Sequence, residues 1–108
     1  MHIINSQIME SIKQELIDQT KRKIEKVMKE IEESDREIKM GEAQLKVEQK
    51  MAAMTDLPAQ IAEDIKYSII AIETELSIAQ NKSGELKRDL ETLKYRSQVI
   101  LKFEDEEL

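Results

Sequence analysis

An unbroken alternation of four- and three-residue steps runs through the second half of the chain. Ile65, Ile69, Ile72, Leu76, Ala79, Ser83, Leu86, Leu90, Leu93, Ser97 and Ile100 carry it without a slip. This is the spacing of heptad positions a and d, held for about five heptads, and it predicts a long helix packed along another helix. A strand needs a period of two, so the pattern excludes a sheet over this stretch.

The first half offers a partner. Its apolar or small series is Met9, Ile12, Leu16, Thr20, Ile24, Val27, Ile31, Ser34, Ile38, Gly41, Leu45, Glu48 and Ala52. From Ile24 onward it keeps the heptad. From Ile12 to Ile24 the steps are four, four and four, which reads as a stutter that locally unwinds the supercoil. Residues 1–5 read as a frayed arm, with Asn5 or Ser6 as the cap of the first helix.

Thr55-Asp56-Leu57-Pro58 is the break between the two series. Proline disfavours helical geometry at the residue before it and suits the first turn of a new helix. The expected fold class is all-α: two long helices forming an antiparallel coiled-coil hairpin that dimerises into a four-helix bundle. The hairpin is expected as a single domain over 1–108. Helix 1 runs over about 6–54, the turn over 55–57, helix 2 over about 58–103, and an acidic tail over 104–108. At 1.5 Å per residue each helix is roughly 70 Å long. Asn81-Lys82-Ser83-Gly84 is a second possible break, but the heptad phase crosses it unchanged, so helix 2 is expected to continue through Gly84. Folding the chain about Asp56 sets Gly41 opposite Ile72, and Ser83 opposite the Ile31 turn, small residues against large ones.

Composition limits what such helices can do. Of 108 residues, 37% are charged and 3% aromatic, so apolar area must come from aliphatic stripes rather than a ring-filled core. The formal charge is -6. Residues 1–54 carry a net -1 and residues 55–108 a net -5, with the acids Glu104 to Glu107 in one run. That balance argues against direct binding to nucleic acid or to an anionic membrane, both of which need clustered cations. Lys21, Arg22 and Lys23 form the densest basic group, but Glu25, Glu30, Glu32 and Glu33 dilute it into a solvated face. No cysteine is present, which removes disulfide and thiolate chemistry and agrees with a cytoplasmic location. The first residues show neither a basic region nor an apolar run of signal-peptide type.

No catalytic, cofactor or metal site is expected. The one histidine, His2, stands in the predicted arm, and the glycines Gly41 and Gly84 are isolated rather than grouped in a phosphate loop. Adjacent acids such as Glu32-Glu33 and Glu63-Asp64 point to different faces of a helix. The chain is therefore not expected to be an enzyme.

What remains is apolar surface outside the seam. Met40, Ala43, Val47, Met51 and Met54 form a second stripe on helix 1. Ile70 and Ile78, and further on Val99 and Leu101, flank the seam of helix 2. Two helices cannot bury two stripes on one of them, and surplus apolar surface marks an interface. The candidate partner-binding residues are Met40, Val47, Met51, Met54, Ile70 and Ile78. Three functions use such a surface. One is a self-associating structural or scaffolding coiled coil, a homodimer. Another is a small acidic regulator or inhibitor, phage or mobile-element encoded, that binds a larger host protein, with Glu104 to Glu107 imitating phosphates. The third is a helical chaperone whose methionines adapt to varied clients.

Overall fold

The structure, a computed structural model, describes residues 2–106 and the side chains of residues 7–102. Two long helices, α1 (His2–Ala52) and α2 (Ala59–Glu106), pack against each other as a helical hairpin. The connection falls at the expected proline but is longer than the expected turn of 55–57: α1 ends at Ala52, and residues 53–58 lead to α2. Ala53 N–H donates to Gln49 at 3.2 Å and Met54 N–H to Met51 at 3.1 Å, tightening the end of α1. Pro58 then sits at the head of α2, its carbonyl accepting from Ala62 N–H at 3.0 Å. Proline lacks the donor that this position would waste.

The outer helix ends differ from expectation. Residues 2–5 are helical rather than an arm, and helix 2 continues past Phe103 to Glu106. Neither end contains glycine or proline, and Asn5 and Ser6 are tolerated inside a helix at a cost of under about 1 kcal/mol each. The side chains of His2 and of Glu104 to Glu107 lie outside the described residues. α2 runs through Asn81 to Gly84 without interruption, because the seam residues Ala79, Ser83 and Leu86 on either side stay on one face.

The chain divides into two compact units, one of Met1–Glu30 with Leu86–Leu108 and the other of Ile31–Glu85. In the second unit, Ile65, Ile72 and Leu76 are buried from α2, and Ser34 from α1. Ser34 is 2% exposed, and its Oγ donates to the carbonyl of Ala79 at 3.3 Å. A side chain of one helix that reaches the backbone of the other requires close approach, which a residue this small permits. Ser83, 3% exposed, donates from α2 to Asp35 Oδ1 at 3.3 Å. Gly41 completes the set: a Cβ placed on it would lie 2.7 Å from Leu76 Cδ2.

Ser34 and Ala79 meet in the expected register, but two other contacts depart from it. Gly41 meets Leu76 rather than Ile72, and Ser83 meets Asp35, one turn beyond Ile31. The cause is side-chain lean. Each Cα–Cβ bond tilts toward its own helix N-terminus, so in an antiparallel pair touching residues carry higher numbers than residues level along the axes.

In the first unit, Thr20 and Leu86 are buried, with Ile17, Ile24, Val27, Leu90, Leu93, Ser97 and Ile100 half-buried around them. Thr20 settles its hydroxyl within its own helix, donating to the Leu16 carbonyl at 2.8 Å. The predicted stutter is absent here. Ile12 is 52% and Leu16 45% exposed, while Lys13 and Ile17 turn inward. The seam on α1 is thus Lys13, Ile17, Thr20, Ile24, Val27, in the same alternation of four and three that continues to Glu48. Holding one frame keeps every layer aligned with α2. It places a lysine at a d position, where its aliphatic stem covers apolar surface.

Candidate interaction surface

With Ile17 and Ile24 at position a, every residue of α1 has a heptad letter, and Ile69 and Leu76 at position a do the same for α2. Positions c and g lie on one flank of a helix beside d, and b and e on the other beside a. Met40 and Val47 are c residues, Met51 is a g residue, and Ile78 is a c residue of α2, while Met54 lies past the end of α1 in the connection. All are exposed, Met40 at 73% and Ile78 at 63%. Four of the six expected residues therefore share the c and g flank of their helices. Ile70 does not: it is exposed at position b, on the opposite flank.

Within the second unit, Met40 and Ile78 line one groove with Gly41, Gln44, Ile72 and Leu76. Its volume is about 480 Å³, and Glu37, Glu75 and Lys82 stand along it. In the first unit a groove of about 410 Å³ lies on the same letters, between Lys23, Lys26, Val27 and Glu30 of α1 and Asp89, Thr92, Leu93 and Arg96 of α2.

A further apolar hollow of about 300 Å³, in the first unit, went unnoticed as a surface in the sequence. Met9, Ile12 and Leu16 from α1 and Val99 and Ile100 from α2 line it, with Lys13 at its edge. Its signal was present: carrying the frame back from Ile24 puts Met9 and Leu16 at g and Ile12 at c, the letters of Met51 and Met40.

Chemically these grooves offer contact and little else. Every buried side-chain nitrogen or oxygen among the described residues has a hydrogen-bond partner, so no polar group waits inside for a ligand. Among the described residues no group of three or more His, Cys, Asp or Glu side chains is placed to hold a metal ion. No described helix is long and apolar enough to cross a membrane. No family model matches the chain, and neither a curated protein nor a solved structure matches it.

Proposed function

We propose that this chain is a non-enzymatic coiled-coil interaction module that self-associates, two hairpins joining into a four-helix bundle with a structural or scaffolding role. The observation that carries the reading is the apolar flank at c and g. Met40, Val47 and Ile78 in one unit, and Met9, Ile12, Leu16 and Val99 in the other, are exposed beside the seam. Surplus apolar surface of this kind is expensive in water, at roughly 25 cal/mol per Å², and a second layer of helices removes it. The core is thin as well: among the described residues no large side chain is fully buried. A chain this small gains from sharing a core with a copy.

Sedimentation equilibrium from about 1 to 100 µM, with circular dichroism at each concentration, tests the reading. A dimer that dissociates on dilution supports it. A fully helical monomer at 100 µM refutes it. A regulator of a larger protein would instead leave host lysate with one stoichiometric partner, and a chaperone with many unfolded clients.

A further inference from the structure

We infer that a second copy docks groove on groove at the second unit, each helix lying antiparallel over its own copy, about a two-fold axis level with Met40 and Ile78. The proposal rests on the self-association above and assigns its face and register. Every residue it uses lies within Ile31–Glu85.

A two-fold interface brings a surface against itself, so the surface must complement itself. The groove of the second unit does. Met40 and Ile78 border it from opposite helices, and Glu37, Glu75 and Lys82 are its charges. Reversing a second α2 over the first about Ile78, with facing numbers totalling 156 or 157, sets Ile78 against Ile78 and Glu75 against Lys82. The two-fold makes that ion pair twice.

α1 reaches the same axis by its own residues. Reversal about Met40, with facing numbers totalling 80 or 81, sets Met40 against Met40 and Glu37 against Gln44. The next charges along the flank, Glu33 and Glu85, face Val47 and Ala71, so no like charges meet. The two reversal points are level because Met40 and Ile78 line one groove. The hollow of about 480 Å³ then receives the copy's Met40 and Ile78, and these exposed side chains leave water.

The competing arrangement turns the copy about an axis parallel to the helices, with α1 over α2. Asp35 and Ser83 touch across the hairpin, so Glu33 and Glu85 stand level with each other. That arrangement sets Glu33 against Glu85 twice, acid on acid. The opposite flank of the unit offers less still: Ile70 is exposed at b amid Glu63, Lys66 and Glu73.

Charge pairs select orientation more than they add affinity, so charge exchange tests the register. Glu75→Lys alone sets lysine against lysine in its homodimer, and Lys82→Glu alone sets acid against acid. Each is expected to dimerise about tenfold more weakly than wild type. An equimolar mixture of the two regains near wild-type strength, and so does the variant carrying both changes, which separates register from misfolding. The chain lacks cysteine, so Met40→Cys is expected to crosslink to its own copy under mild oxidation. Val47→Cys, at the same heptad letter, is not, because its two copies stand about 20 Å apart in this register.

A wild-type dimer whose charge variants associate as tightly as the parent, or whose mixture gains nothing over the separate variants, overturns the register while leaving self-association standing. So does a dimer in which Met40→Cys crosslinks only when mixed with Ile78→Cys, the mark of the competing arrangement. A monomeric wild type overturns both readings.

Discussion

Gly41 and Leu76 allow the packing of the second unit to be tested by a single methyl group. A Cβ at residue 41 would sit 2.7 Å from Leu76 Cδ2 and 3.1 Å from Leu76 Cγ. Carbon atoms pack best at about 3.5–4.0 Å, so the new methyl intrudes by close to an ångström. Leu76 is buried. It must turn into the adjoining groove, or the helices must part. Either response is overpacking, at about 1–3 kcal/mol. Against this, alanine improves on glycine inside a helix by about 0.5–1 kcal/mol. Gly41→Ala should therefore destabilise by about 1–2 kcal/mol.

Removing the obstacle reverses the sign. In a Leu76→Ala background the methyl meets no leucine, and Gly41→Ala should stabilise by about 0.5–1 kcal/mol. Urea unfolding followed by circular dichroism, on all four proteins at one fixed concentration, closes the cycle. A coupling of about 1.5–3 kcal/mol is expected between residues in contact. Gly41→Ala more stable than wild type, or a coupling near zero, would refute the close approach of the two helices at this layer.

Other substitutions probe other layers. Thr20→Val should leave stability unchanged or raise it by under about 1 kcal/mol, because the Leu16 carbonyl keeps its helical partner when the hydroxyl goes; thermal unfolding reads this. Ser34→Leu should destabilise by about 1–3 kcal/mol, since nothing at 2% exposure can admit four carbons. Ser34→Ala should cost about 1 kcal/mol for its bond to Ala79. The frame of α1 predicts a contrast measured at dilution, where copies are apart: Ile17→Ala lowers stability by about 1–2 kcal/mol and Ile12→Ala by under about 0.5 kcal/mol. At high concentration Ile12→Ala should instead weaken self-association.

The sequence showed the α2 seam almost completely. Ile65, Ile72, Leu76, Ser83 and Leu86 are buried where the alternation of four and three puts them. The N-terminal half of α1 was harder to read, because two frames compete there. One keeps Ile12 and Leu16 together. The other keeps phase with Ile24 but accepts Lys13. Apolar residues alone favour the first, whereas alignment with α2, visible only once the helices are paired, favours the second. The register of Gly41 was missed for a similar reason: residue numbers measure height along a helix and carry no information about lean. Of the surface, the stripe was legible as a spacing of seven from Met40 to Val47, whereas the next step, to Met54, falls beyond the end of α1. Ile70 was grouped with it because exposure and hydrophobicity do not reveal a flank until the frame is known.

The six residues between α1 and α2 have a role that packing does not describe. Ala53 to Asp56 are exposed, and cleavage among them would leave every layer of the seam in place. The two helices would then be separate molecules. While the connection is intact each sees the other at an effective concentration of about millimolar, whatever the amount of protein present. Once nicked, a hairpin at nanomolar concentration must hold together by its seam alone, so a protease acting at this one exposed tether turns a folded chain into two helices that dilution can scatter.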